Sequence, residues 1–115
     1  MYGEQVLARF RDTPYAGDLD NPDAVGQAGV PGQGNYIVLQ LNLENGVITD
    51  ARFQTYGCPA AIASGSWVAE WALGKVWEEA IQLTPFEVDS ALGGLPPGKA
   101  HCADLAVNAL KNALA

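Results

Sequence analysis

Apolar and polar positions alternate most cleanly over residues 35–44 (NYIVLQLNLE), where Ile37, Leu39, Leu41 and Leu43 fall on one face and Gln40, Asn42 and Glu44 on the other. Period two over this length predicts a half-buried strand. Asn45-Gly46 follows, the dipeptide of a two-residue hairpin turn, and residues 47–56 return as a second strand with Val47, Ala51 and Phe53 facing inward. From Cys58 onward the period changes to that of a helix. Pro59 suits a first helical position and Gly74 a stop, and between them Ala61, Gly65, Val68 and Trp71 recur at helical spacing. The small residues in this helix predict close packing on the hairpin.

Further helices are expected at 3–11, with Val6, Leu7 and Phe10 on one stripe, at 76–82, and at 85–92 after Thr84-Pro85. Residues 93–99 (GGLPPGK) cannot continue a helix. A final helix is expected over 101–114, with Leu105, Ala109 and Leu110 facing the core. Residues 12–34 contain Pro14, Pro22 and Pro31, four Asp and six Gly or Asn, and read as one long irregular segment. The order predicts an α+β fold: a small antiparallel sheet around the hairpin 35–44/47–56, packed against about five helices. Trp67, Trp71 and Trp77 read as packing residues, Asp12 to Asp23 as a solvated loop, and Glu78 and Glu79 as a solvated helix face.

Length and composition narrow the chemistry. The 115 residues suit one domain, 1–115, and 49% are apolar, enough for a core. Six basic and 13 acidic side chains give a formal charge of −7, which repels phosphate backbones and excludes nucleic acid as a partner. No apolar run is long enough to cross a membrane, and no signal-peptide pattern opens the chain, so a soluble cytoplasmic protein with reduced thiols is expected. The soft donors are two Cys, one His and one Met. That excludes a disulfide framework and any Cys₄ or Cys₂His₂ site from one chain, and leaves Cys58, His101 and Cys102 acting together.

Both cysteines fall at expected helix starts, where free N–H groups and the helix dipole favour a thiolate. The competing reading is that they are small buried hydrophobes. Neighbours on a regular helix diverge by about 100°, so His101 and Cys102 can share an ion only where the backbone is still turning into the helix.

Several segments together resemble the IscU/NifU-type iron–sulfur cluster assembly scaffolds. They are GVITDARFQTYGCPAAIASGSWVAEWALGK, GGLPPGKAHCADLAVNALKNAL and, more loosely, FRDTPYAG and DNPDAVGQAG. The resemblance implies an α+β fold and a scaffold role rather than an enzyme's. Such a scaffold receives sulfur from a cysteine desulfurase and iron from a donor, assembles a [2Fe-2S] cluster, and passes it to acceptor apoproteins. It implies that Cys58, His101 and Cys102 are metal ligands and that Cys102, in an exposed loop-to-helix junction, accepts persulfide sulfur. Lys99 is placed beside the site, to pair with a thiolate or an incoming anion unless it is an ordinary surface lysine. Leu95, Pro96, Pro97, Gly98 and Lys99 form a loop for a partner such as a cluster-transfer chaperone, although Gly98 stands where the family usually has Val.

The departures are Gln33, where the family has its first ligand Cys, and Asn35, where it has Asp. An amide is a poor soft-metal ligand beside thiolate, so both are weak or vestigial ligand positions. A [2Fe-2S] cluster calls for four ligands and one chain now supplies three. A single zinc or iron ion is easier, since two Cys, one His and an open position is an established zinc arrangement. No Glu or second His is identifiable as a base for hydrolysis. Two readings follow. One is a scaffold-like protein that binds zinc or iron and accepts persulfide. The other is a non-assembling pseudo-scaffold that binds and regulates the assembly partners.

Overall fold

The computed structural model describes residues 2–30, 32 and 34–115. The expected ligand position Gln33 lies outside the described residues. Eight elements follow in order: α1 (Glu4–Arg11), β1 (Ala24–Ala28), β2 (Tyr36–Glu44), β3 (Val47–Tyr56), α2 (Pro59–Ala72), α3 (Trp77–Ala80), α4 (Pro85–Ala91) and α5 (His101–Leu114). The strands form one antiparallel sheet, β1-β2-β3, with helices packed against it. The α+β expectation holds.

Asn45 and Gly46 both take positive φ, 53° and 81°, as a twisted two-residue hairpin requires. The neighbouring chain closes this end of the hairpin: the Trp77 N–H donates to the Gly46 carbonyl and the Ile48 N–H to that of Lys75, each at 2.9 Å. Pairing runs Leu43 to Ile48 and then Asn42 to Asp50, so Thr49 is an extra residue in β3. This bulge re-phases the strand. Ile48, Ala51 and Phe53 are buried, while Val47, expected inward, is half-buried and bridges to Val76. Across the sheet, Ile37, Leu39 and Leu41 are wholly buried.

Helix α2 lies on this face. A Cβ at Gly65 would stand 2.7 Å from the Phe53 ring, so glycine lets the helix rest directly on the strand, as the small-residue pattern predicts. Pro59 sits in its first turn, and Gly74 (φ +83°) follows its end. Thr84 and Glu87 form a reciprocal capping box on α4. Helix α5 buries Cys102, Ala103, Ala106, Val107, Ala109 and Leu110.

Two further expectations are corrected. Residues 12–34 are not one irregular segment, because β1 pairs with β2 over Ala24–Ala28. Its polarity is inverted: Val25 faces solvent while Gly26 and Ala28 face inward. A Cβ at Gly26 would overlap the α5 backbone at Ala109 and Ala113, so the inward face of β1 holds small residues to admit that helix.

The Asp residues of this segment are all exposed, as expected, and two of them also bond to the sheet. Asp18 accepts the side-chain amides of Gln40 and Gln54, and Asp23 accepts the Leu43 N–H, pinning the segment to the sheet. Phe10 is 46% exposed rather than inward. Helix α1 docks through buried Val6 and through Arg9, which reaches Ser66 and Glu70 of α2 at 3.0 Å each, and that docking turns Phe10 outward. Among the described residues no helix is long and apolar enough to cross a membrane.

Candidate metal centre

The open end of the hairpin creates the site. Tyr36 and Tyr56 pair at the last rung of β2 and β3 and stack with ring centres 5.3 Å apart. The next residue outward on each side is then Asn35 and Gly57, followed by Cys58. Cys58 is the N-cap of α2 in extended conformation. Its own N–H donates to Asn35 Oδ1 at 3.3 Å, and its carbonyl receives the N–H groups of Ala61 and Ile62.

Helix α5 brings the other two donors. Its first turn is tight: the Cys102 N–H donates to the Lys99 carbonyl and the Ala103 N–H to that of Ala100. There His101 and Cys102 converge as the sequence required, with His101 Nε2 3.8 Å from Cys102 Sγ. Cys102 packs against Ala60 and Ala61 at the start of α2, which leaves its Sγ 3.8 Å from that of Cys58. All three expected ligands therefore meet at one place.

The two thiols differ sharply. Cys58 is half-buried and Cys102 is 0% exposed. Burial works against ionising Cys58, but the backbone N–H groups of Ala61 and Ala60, the Tyr2 hydroxyl and the Cys102 thiol outweigh it and lower it to about 7. Burial pushes the Cys102 thiol up to about 12, helped by the charge and hydrogen bond of Cys58 and only partly opposed by the Lys99 charge and Asn35. Two expectations change. Cys102 is not exposed, and its helix start does not favour its thiolate, because burial against alanines and beside a second sulfur exceeds the dipole's pull. Lys99 is half-buried, and its charge is felt at Cys102. The loop before it is ordered: the Leu95 N–H donates to Asp89 at 2.8 Å, and the Lys99 N–H closes a turn onto the Pro96 carbonyl.

Tyr2 is a site residue that sequence reasoning missed. It packs against the cluster of Ala60, Ala61 and Cys102, and burial and then the neighbouring Cys58 thiol push its phenol up. No motif marks it. Its place follows from how α1 docks on α2.

The fourth side chain is Asn35. Its Nδ2 lies 3.6 Å from Cys58 Sγ, 3.4 Å from Cys102 Sγ and 3.4 Å from His101 Nε2. Among the described residues no group of three His, Cys, Asp or Glu side chains is spaced as a ready cradle for an ion. Bonds from zinc to sulfur and imidazole nitrogen are about 2.0–2.3 Å, shorter than the 3.4–3.6 Å from the Asn35 nitrogen to each of these atoms, so an ion at that point would require them to close in by about an ångström. The donor set itself, two sulfurs and one imidazole converging on a point, fits a soft or borderline divalent cation.

Comparisons with known proteins speak to family and fold. The family model described as the NifU-like N-terminal domain matches residues 1–115. The chain is 40% identical over 114 residues to the iron-sulfur cluster assembly scaffold protein IscU 1 of Archaeoglobus fulgidus, covering 99% of this chain and 74% of that protein. It is 41% identical over 118 residues to the iron-sulfur cluster assembly scaffold protein IscU of Escherichia coli K12, covering 99% and 91%. Similar folds occur in a candidate SUF-system scaffold from Fervidobacterium islandicum AW-1 (TM-score 0.80, 20% identity, 99% and 96% covered). Another is the N-terminal part of a NifU-like protein from Brucella abortus (TM-score 0.73, 19% identity, 97% and 90% covered).

Proposed function

The chain belongs to the IscU/NifU family through the NifU-like N-terminal domain along its length, and from that premise we propose that it works in iron–sulfur cluster assembly as a scaffold-like carrier. In this reading Cys58, His101 and Cys102 hold one zinc or iron ion, and the thiols take persulfide sulfur from a cysteine desulfurase. The observation that carries the reading is the convergence of the three donors on one point, 3.4–3.6 Å from a single nitrogen. An ion there would supply positive charge that keeps both thiols ionised.

The cluster is cargo, and one chain is short of a full set of soft ligands for it. Gln33 and Asn35 carry amides where the family has thiolate and carboxylate. A [2Fe-2S] cluster on this chain therefore calls for a ligand from outside, and acceptor apoproteins are its destination. The Leu95–Lys99 loop is the surface offered to a chaperone of the transfer system.

Sulfur reaches Cys58 first, since it is half-exposed and lowered to about 7. Its thiolate attacks the outer sulfur of the desulfurase persulfide. A new S–S bond forms on Cys58 as the old one breaks, and the desulfurase thiolate leaves. Cys102, the acceptor that the resemblance implies, becomes reachable when the loop before α5 opens. Mass spectrometry after incubation with a desulfurase and cysteine tests this. A +32 Da adduct is expected on wild type and on Cys102→Ser, and its retention on Cys58→Ser at wild-type level would contradict Cys58 as the first acceptor.

The alternative, a pseudo-scaffold that regulates assembly partners without assembling anything, is favoured by the amide that fills the site. Anaerobic reconstitution with iron and sulfide separates the two. Stoichiometric iron with a stable visible chromophore contradicts the regulator, and a chain that retains neither iron nor zinc while still binding the desulfurase contradicts the carrier.

A further inference from the structure

Asn35 is held at the site by the close approach of two glycines. The rung between Tyr36 and Tyr56 sets it opposite Gly57. A Cβ at Gly57 would overlap Asn35 Oδ1 and stand 2.8 Å from its Cγ, so the amide occupies the space that any other residue at 57 would fill. Gly29, at φ +88°, lets the neighbouring strand approach the Asn35 carbonyl and the Tyr36 backbone in the same way.

The orientation of the amide follows from its partners. Cys58 donates its N–H, which only oxygen can accept, so Oδ1 faces the backbone. The NH₂ must then face the three donors. It carries two protons and a partial positive charge, and two sulfurs and the His101 Nε2 surround it. That is the electrostatic pattern a small cation would meet. Because Oδ1 is turned away and already bonded, the amide as placed is not a metal ligand.

We propose that Asn35 is a placeholder for the ion: in the metal-free chain its NH₂ keeps Cys58, His101 and Cys102 convergent, and it withdraws from them when an ion binds. The inference rests on the reading that these three residues hold an ion. It makes Asn35 a positioning residue with two opposed effects. It orders the metal-free site, and it competes with the metal. Removing it should loosen the first and strengthen the second, whereas a merely structural residue would weaken both.

The test titrates cadmium(II) into wild type, Asn35→Ala and Gly57→Ala, followed by the ultraviolet thiolate-to-cadmium band. Iodoacetamide labelling of the metal-free chains runs in parallel. Asn35→Ala should bind cadmium about five- to tenfold more tightly, the worth of about one net hydrogen bond set, while its metal-free Cys58 is alkylated several-fold faster. Gly57→Ala, which displaces the amide without deleting it, should move both readouts the same way.

Equal or weaker cadmium binding in both variants would overturn the placeholder. Should neither variant fold, the wild-type chain decides. Proton exchange of the Asn35 side-chain NH₂, read by nitrogen-15 NMR, should speed up when cadmium binds, and unchanged exchange would overturn the proposal. A wild type with no cadmium band would overturn the three-donor reading together with the placeholder. A wild-type band without the gain in Asn35→Ala overturns the placeholder alone.

Discussion

The two ends of the β2–β3 hairpin meet the same physical demand by different means. At the turn, backbone closes on backbone: Asn45 and Gly46 reverse the chain, and Trp77 and Lys75 satisfy its polar groups. At the open end, side chains close the gap, and they are an amide, a phenol, an imidazole and two thiols. The first end uses local geometry and has nothing chemical to spare. The second gathers groups from the residues just before α1, β2 and α2 and from the first turn of α5, and sets two sulfurs and an imidazole around one amide nitrogen. The contrast teaches that a site can be built where a sheet runs out of backbone partners.

The largest effect that would sharpen the comparison is loss of a donor. Cys58→Ser should lower zinc affinity by about 100-fold or more, the loss of one soft ligand from three. The turn end should keep its backbone hydrogen exchange protection. Calorimetric zinc titration beside exchange measurements checks this, and a wild-type affinity would break the assignment of that end as the metal centre.

A smaller effect is expected at the turn. Gly46→Ala forces a β-carbon into positive φ and should cost about 1 kcal/mol of stability, measured by urea unfolding, while zinc affinity stays within about twofold of wild type. A large drop in affinity would show that the two ends are coupled.

The smallest effect is the pH dependence of the metal-free chain. Cys58 is lowered to about 7 from its ordinary 9.0. The unfolded chain therefore binds more protons between those values, and stability rises with pH from about 7 to 9. Cys102 is raised from 9.0 to about 12. Above 9 the folded chain is the one that keeps the proton, so stability falls as pH climbs toward 12. The Tm of the metal-free protein should peak near pH 9, and zinc should flatten that dependence by fixing both thiolates. A Tm that falls steadily from pH 7 to 9 would contradict the environment assigned to Cys58.

The hairpin was legible in the sequence because large side chains carried a period of two, and α2, α4 and α5 because Pro59, Gly74, Thr84-Pro85 and helical spacing marked them. Strand β1 was hidden because its only large apolar residue, Val25, points outward and its inward positions are glycine and alanine cut to fit α5. The meeting of Cys58, His101 and Cys102 was legible from helix starts and from family resemblance. The burial of Cys102 was not, since it depends on Ala60, Ala61 and Leu95 arriving from other segments. Substitution of an acid by Asn35 could be read as the loss of a ligand. Only the rung that sets it beside Gly57 shows that its amide faces the donors.

The central claim is that Cys58, His101 and Cys102 together hold one ion. X-ray absorption at the zinc edge, on protein loaded with zinc under reducing conditions, tests it most directly. The account predicts about one zinc per chain with two sulfurs and an imidazole in its first shell, and loss of one sulfur in Cys102→Ser. A zinc shell made only of oxygen and nitrogen, or no retained zinc, would contradict it.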